Sequence, residues 1–324
     1  MANRIPNQFH FVYGLKRQTE PFHLAHYLCL ESCLTVNRPD RIFLHYYHEP
    51  FGEYWDLIKG RLHRIRIRHR SAGHGFRYRD RRMEQYRYAH DADFIRLDAL
   101  IEHGGIYADI DTIFVRPLPA ALLSRLFVLG REDDVVCRDT GESRKSLCNA
   151  FIMSEPRAEF AVMWRREMEP AFDGSWSRHS TFLPYDLAQK HPGLIHIEPA
   201  ETFYPYMWTH EGLRRLFEGC ESVDPSAASV HLWAHLWWSE KRRDFSDFHA
   251  GLITEQRIRQ IDTTYNKLAR PFLPAENSRP RPALLQLRDI LRMSLARLLE
   301  VVSARTARVR RRHASGTAFR GEGV

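Results

Sequence analysis

Residues 89–111 read AHDADFIRLDALIEHGGIYADID, and the fold is decided there. The stretch completes a helical pattern that runs from Arg81 to Glu102, with polar residues along one side. Gly104 and Gly105 follow, where a left-handed C-terminal cap is wanted. A short strand, Ile106 to Asp109, comes next and leads into two carboxylates. Asp93 and Arg96 are three apart, so they share a helix face. Tyr107, Asp109 and Asp111 alternate, so a strand aims them the same way. An acid, a cation and a carboxylate pair are thereby brought toward one place, a set of groups suited to a metal-bound diphosphate.

Working outward, the first half of the chain alternates strand and helix. Gln8 to Tyr13 reads as a strand, Phe22 to Val36 as a helix stopped by Pro39, Arg41 to Tyr47 as a strand, and Leu62 to His69 as a strand with one wet face. Such alternation predicts an α/β fold with a mostly parallel sheet and helices on both faces. Ligands then sit beyond the carboxyl ends of the strands, where the acidic pair falls. In the second half, Leu126 to Gly130, Leu147 to Met153, Leu194 to Ile197 and Ser229 to Trp238 read as strands, and Glu159 to Met168 as a helix. The expected division is a catalytic domain over 1–270, a Pro-rich linker over 271–282 carrying Pro271, Pro274, Pro280 and Pro282, and a basic amphipathic helix with a disordered tail over 283–324. Leu284, Leu287, Leu291, Leu295, Leu298 and Val302 form the helix's apolar stripe, with Arg288, Arg292, Arg297 and Arg305 around it.

The 324 residues are 44% hydrophobic and 12% aromatic, enough for a sizeable core. No run approaches the roughly 18 apolar residues of a membrane span, and the N-terminus lacks the apolar stretch of a secretory signal. Five cysteines, Cys29, Cys33, Cys137, Cys148 and Cys220, suggest neither a disulfide framework nor a zinc ribbon. Cys29 and Cys33, one helical turn apart, read as buried thiols, and a reducing cytoplasm fits. The net charge of +8 is carried by the end of the chain, because Ser278 to Val324 holds eleven Arg against three acids. The remainder is balanced and is no general polyanion binder. With no recognised motif either, nucleic acid is not an expected partner.

A lone Asp-x-Asp says little: with 18 Asp in the chain about one is expected by chance, and there are two, Asp91/Asp93 and Asp109/Asp111. The ordered combination of Asp93, Arg96, Leu100, Gly104, Gly105, Tyr107, Asp109 and Asp111 is more specific. It resembles the core of the DXD sugar-binding glycosyltransferases (glycosyltransferase family 32), which include outer-chain mannosyltransferases and capsular and lipopolysaccharide enzymes. The departure is Ala92, where that family has Ser. Ile5-Pro6 with Phe9-His10, Asn149-Ala150-Phe151, Phe203-Tyr204-Pro205 and His231-Leu232-Trp233 resemble further signatures of the family, so the likeness spans about residues 5 to 238 in order.

The resemblance implies a GT-A type nucleotide-sugar-binding sandwich. It implies Mn²⁺ or Mg²⁺ bound by Asp111 and by Asp109, the latter directly, through water, or instead through the ribose. It also implies sugar or ribose hydroxyls held by Asp93 and Arg96, Tyr107 within the donor site, and Phe11, Val12 and Tyr13 along the nucleobase. The late His-x-Trp signature gives His231 a place at the diphosphate or metal, against a packed core histidine as the plainer reading. A hard cation with oxygen ligands suits a leaving diphosphate. The family retains anomeric configuration, and no nucleophile can be named from sequence. Zinc at His231 and His235 is disfavoured, because no Glu follows the first His as in H-E-x-x-H.

Two features stay open. Arg61, Arg64, Arg66, Arg68, Arg70, Arg77, Arg79, Arg81 and Arg82 read either as a site for an anionic acceptor or, more simply, as a solvated face. The C-terminal helix reads as lying on an anionic membrane surface through residues 283–312, as packing on the body or a second copy, or as loose. The expectation is a cytoplasmic glycosyltransferase, peripheral on the inner membrane face through the C-terminal helix. It would move sugar from a UDP- or GDP-sugar to a glycan or glycolipid of the cell surface. A nucleotide-sugar hydrolase or phosphotransferase, and a non-catalytic membrane- or partner-binding protein, are the alternatives.

Overall fold

The computed structural model describes residues 4–67, 78, 81–136, 143–238, 248–275 and 282–316. Its centre is a seven-stranded sheet. The strands in chain order are β1 (Gln8–Val12), β2 (Arg41–Tyr46), β3 (His63–Arg66), β4 (Gly105–Ala108), β5 (Thr112–Phe114), β6 (Phe127–Arg131), β7 (Val135–Val136), β8 (Ser143–Arg144), β9 (Leu147–Ser154), β10 (His196–Glu198) and β11 (Ser229–His231). The α-helices before β10 are α1 (Leu24–Asn37), α2 (Glu53–Ile58), α3 (Arg87–His103), α4 (Ala120–Leu123), α5 (Glu159–Ala171) and α6 (Leu183–Lys190).

The sheet order is β10-β6-β9-β4-β1-β2-β3. β1 pairs parallel with β2 and β4, β2 with β3, and β6 with β10; β9 alone runs against its neighbours β4 and β6. The expected mostly parallel α/β sheet is therefore present. Because β4 and β6 both run opposite to β9, their carboxyl ends lie on one edge.

Both faces of the central strands are covered, so β1, β4, β6 and β9 are apolar nearly throughout. Phe9 and Phe11 point into a core shared with α1 and the small antiparallel pair β5/β11, while Val12 and Tyr107 point into a second core with Phe94 and Leu97 of α3 and Trp164 of α5. Two polar side chains, His10 and His45, are buried on the α3 face of the sheet, His10 completely. Burial, with His45 nearby, lowers the His10 pKa to about 3, so it is neutral. Its Nε2 lies 3.0 Å from the Gly104 carbonyl and its Nδ1 3.1 Å from His45 Nε2. A carbonyl only accepts, so Nε2 carries the proton and Nδ1 accepts from His45. This bond pins the Gly104-Gly105 turn from beneath.

That turn admits only glycine. Gly104 has φ 64° and Gly105 φ 106°. A Cβ would lie 2.6 Å from Pro156 Cδ at the first and 2.5 Å from the Gln8 carbonyl oxygen at the second. The turn ends α3 and starts β4, so it sets the distance between Asp93/Arg96 and the acidic pair.

The remaining elements follow the sequence reading with some differences. The strand expected over Ser229 to Trp238 stops at His231, because Trp233 takes a left-handed φ of 54° and Ala234–Leu236 form a 3-10 turn. The pattern read as α3 starts with a 3-10 segment at Arg81–Tyr86. The three-residue β5, α2 and α6 lack a sequence signal and emerge only from tertiary pairing and packing. Cys29 and Cys33 are buried and free, as is Cys148, and Cys220 is exposed and free; Cys137, Pro280 and residues 68–69 of the third predicted strand lie outside the described residues. A long helix occupies Ala283–Gly316, and its apolar stripe faces outward: Leu284, Leu287, Leu291, Leu295, Leu298 and Val302 are all exposed. Among the described residues no helix is long and apolar enough to cross a membrane.

Gly105→Ala is expected to cost about 2 kcal/mol or more in urea unfolding, from the positive φ and the overlap with Gln8. Gly193→Ala, where an added Cβ meets nothing within 4 Å, stays within about 0.5 kcal/mol of the parent.

Candidate functional site

α3 enters from the second core with unusually polar inner residues: Asp93 and Arg96 are 7% and 5% exposed. Buried charges persist only when paired and hydrogen-bonded. The Arg96 guanidinium lies 3.2 Å from Asp93 Oδ1 and 3.5 Å from Asp109 Oδ1, donates to the Asn149 carbonyl at 2.6 Å, and stacks 4.5 Å above the Tyr107 ring. Asp93 also accepts from Asn149 Nδ2 at 2.7 Å and from His179 Nε2 at 2.9 Å. His179 comes from a single π-helical turn, Arg178–Phe182. Burial would raise the Asp93 pKa, but Arg96 and His179 outweigh it and hold the carboxyl below its usual range.

β4 ends at Ala108, so Asp109 and Asp111 lie in the turn to β5 and not on a strand as expected. They still converge. Tyr107 Oη donates to Asp109 Oδ1 at 2.6 Å. His231, at the end of β11, places Nε2 3.1 Å from Asp111 Oδ1 and 3.7 Å from Asp109 Oδ2. The Ala234 amide donates to Asp111 Oδ2 at 2.7 Å, which is why the chain leaves β11 through the 3-10 turn. Burial opposes ionisation of Asp111, yet His231 and the Ala234 amide hold its carboxyl well below the carboxylate range. Asp109 goes the other way, raised by burial and by the charge of Asp111 against Arg96 and His231. His231, which burial alone would lower, is raised by Asp111 and then Asp109.

Three carboxylates thus meet one guanidinium and two imidazoles. Ligand atoms of Asp109, Asp111 and His231 lie within 4.8 Å of one another, a group able to hold a metal ion. Around an octahedral ion with bonds of about 2.1 Å, adjacent ligand atoms sit about 3 Å apart, so small side-chain shifts suffice. Two carboxylates and an imidazole fit a hard or borderline divalent cation. His235 does not join: its ring stacks on Trp176 at 5.1 Å.

Of the three residues expected along the nucleobase, Phe11 has a ring that is 0% exposed and edge-on to Phe114 at 6.4 Å. Val12 is buried in the α3-side core. Tyr13 alone offers side-chain surface, packed on Phe22 and on His26, which stacks on Trp238. Of the arginine cluster, Arg61 pairs with Glu31 and Arg64 with Glu49 at the surface. Arg68, Arg70, Arg77 and Arg79 lie outside the described residues, and the side chains of Arg81 and Arg82 are not described.

Sequence reasoning missed His179, which lies 86 positions from its partner in a stretch without periodicity. It also missed Glu132. The register Gly130↔Cys148 and Arg131↔Leu147 brings Glu132 opposite Ser146, on the edge where β4 ends. Its Oε1 is buried with no hydrogen-bond partner among the described residues. Burial pushes its pKa up to about 7, against the opposing influence of the neighbouring Ser146 and Cys148.

A mostly parallel α/β sheet with an Asp-x-Asp pair at its carboxyl edge defines the GT-A class of sandwich. Residues 70–129 match the family described as "Glycosyltransferase sugar-binding region containing DXD motif". The chain is 31% identical over 276 residues to "Glucan organizing enzyme 1" of Cryptococcus neoformans var. grubii, covering 83% of this chain and 71% of that protein. Among solved structures it resembles PaToxG glycosyltransferase, with a TM-score of 0.37, 14% identity, and coverage of 58% of this chain and 71% of that one. It also resembles apo GlyE of Streptococcus pneumoniae TIGR4, with a TM-score of 0.44, 10% identity, and coverage of 82% of this chain and 60% of that one. The chain belongs to the DXD-containing sugar-binding-region glycosyltransferases, and it is an enzyme of that kind.

A carboxyl with a raised pKa keeps its proton in the folded state where the unfolded chain has lost it. Glu132 therefore subtracts stability as pH rises from about 4.5 to about 7, on the order of 3 kcal/mol in full. Glu132→Gln is expected to melt higher than the parent at pH 8, with the difference disappearing near pH 4. A difference constant across that range would contradict the assignment.

Proposed function

We propose that the chain transfers a hexose from a UDP- or GDP-sugar to a glycan or glycolipid acceptor, with retention, in cell-surface polysaccharide synthesis. The observation that carries this reading is the convergence of Asp109, Asp111 and His231 beside the Arg96–Asp93 pair. As the C1–O bond breaks, the departing nucleoside diphosphate gathers negative charge. Mn²⁺ or Mg²⁺, when bound by Asp109, Asp111 and His231, supplies Lewis-acid neutralisation of that charge. Arg96, which burial alone would lower but Tyr107, Asp109 and Asp93 raise, stays cationic and adds fixed positive charge that needs no reorganisation. Asp93, locked by Asn149 and His179, presents a carboxylate to sugar or ribose hydroxyls in one orientation. Tyr13 closes the base end. The fungal relative is named for organizing glucan, which supports a polysaccharide as the destination.

The C-terminal helix extends the proposal to a cytoplasmic site on the inner membrane face. Its outward stripe of leucines is bordered by Arg288, Arg292 and Arg297. Such a helix binds an anionic lipid surface, each basic residue contributing about 1 kcal/mol.

Asp111→Ala is expected to weaken Mn²⁺-dependent binding of UDP or GDP by about a hundredfold in calorimetry, from loss of one charged ligand. Unaltered affinity would reject the metal assignment. Removal of residues 283–324 is expected to abolish co-sedimentation with phosphatidylserine-containing vesicles while leaving nucleotide binding intact, and undiminished co-sedimentation would reject the membrane reading.

A further inference from the structure

Outside the C-terminal helix, the exposed large hydrophobic side chains among the described residues are Leu57, Tyr86, Val162, Trp176 and Ile261. Two of these touch: the Tyr86 and Trp176 rings meet edge to face at 5.7 Å. The chain buries other tryptophans completely, Trp55, Trp164 and Trp237 among them, yet Trp176 is 38% exposed. Its exposure does not come from a loose segment. The Trp176 carbonyl accepts from Ser180 Oγ at 2.7 Å, the Ser175 amide donates to Asp173 Oδ1 at 2.9 Å, and Gly174 turns at φ 83° against Tyr78. An aromatic side chain held out into solvent on a tied-down backbone marks a contact surface.

The place of that surface in the fold is specific. On one side, Trp176 stacks on His235 at 5.1 Å and 25°, and His235 is next to Ala234, whose amide holds Asp111. On the other, Trp176 lies 6.2 Å from His90, which is 5.3 Å from His179, the partner of Asp93. The indole therefore spans the rim between the Asp111 half and the Asp93 half of the site. Tyr13, His26 and Trp238 form a separate aromatic group at the end of β1.

We infer that Tyr86 and Trp176 form a platform for the acceptor, which is a saccharide whose pyranose ring lies against the indole; this rests on the glycosyl-transfer reading of the adjoining site. A pyranose with mostly equatorial hydroxyls offers one face of C–H bonds. These carry partial positive charge and match the negative face of an indole, while the hydroxyls at the ring's edge remain free to be addressed by polar groups. Aromatic walls with a few polar groups are the usual composition of such sites. Tyr86, set at right angles, limits how far the ring slides along the indole. The platform gives the acceptor hydroxyl a fixed approach to the sugar held near Asp93, so it acts on acceptor affinity and not on the metal-bound diphosphate.

The test uses the full chain, Trp176→Ala and Trp176→Phe. Two probes are titrated separately by calorimetry and by intrinsic fluorescence: UDP or GDP with Mn²⁺, and a panel of linear α- and β-linked gluco- and manno-hexasaccharides. The expected result is saccharide binding by the parent, a loss of about tenfold or more in Trp176→Ala, partial recovery in Trp176→Phe, and unchanged nucleotide affinity and melting temperature. Saccharide affinity unchanged in Trp176→Ala would overturn the inference, as would a parallel fall in nucleotide affinity, which would make the ring part of the donor site. A parent that binds nucleotide and Mn²⁺ but no saccharide would also overturn it and leave the donor reading standing. A parent that binds saccharide but no nucleotide would instead overturn the donor reading.

Discussion

One guanidinium joins the two halves of the site. Arg96 lies between Asp93, on its own helix, and Asp109, beyond the turn, and it also grips the Asn149 carbonyl of β9 and covers Tyr107 of β4. Three elements therefore depend on a single buried cation for their relative position. Arginine suits this role because its planar fork offers five donors and keeps its charge when buried. A lysine would supply one point charge and could not serve the carbonyl, two carboxylates and the ring face together. Removing the guanidinium would leave the buried Asp93 under-compensated and the half-buried Asp109 without its cation, and burial of unpaired charge is the costliest defect a core can carry.

The second constraint is geometric. The His10–His45 hydrogen-bond chain and the crowding around Gly104 and Gly105 determine how α3 meets β4. The acidic pair lies at the carboxyl edge, where β4 and β6 both end and where β11 delivers His231. The site is thus made from four separate stretches of chain held by one sheet edge. This separation of tasks explains why the molecule can keep a strongly acidic cluster. The sheet and its two cores provide the stability, and the charges are held in pairs at the rim.

Much of this was legible in residues 89–111 and less of it elsewhere. The i,i+3 spacing of Asp93 and Arg96 and the Gly-Gly stop are local rules, and local rules survive folding. The alternation of Tyr107, Asp109 and Asp111 led to the right neighbours through the wrong geometry, since the strand ends at Ala108 and a turn does the aiming. In a strand covered on both faces, such as β1, alternation says that residues point in opposite directions but not which of them meets a ligand. His179, Glu132 and Trp176 sit in or beside irregular segments, and their partners are distant in sequence. No periodicity records such pairings; only packing brings them together.

The central claim is that the two aspartates and His231 hold a cation that holds a nucleoside diphosphate. The most direct measurement is diffraction from crystals grown with Mn²⁺ and UDP or GDP, recorded for anomalous scattering. The account predicts a manganese peak bonded to Asp111 and flanked by Asp109 and His231, with diphosphate oxygens completing its coordination. Bound nucleotide with the metal peak elsewhere, or with both aspartates turned from it, would contradict the account.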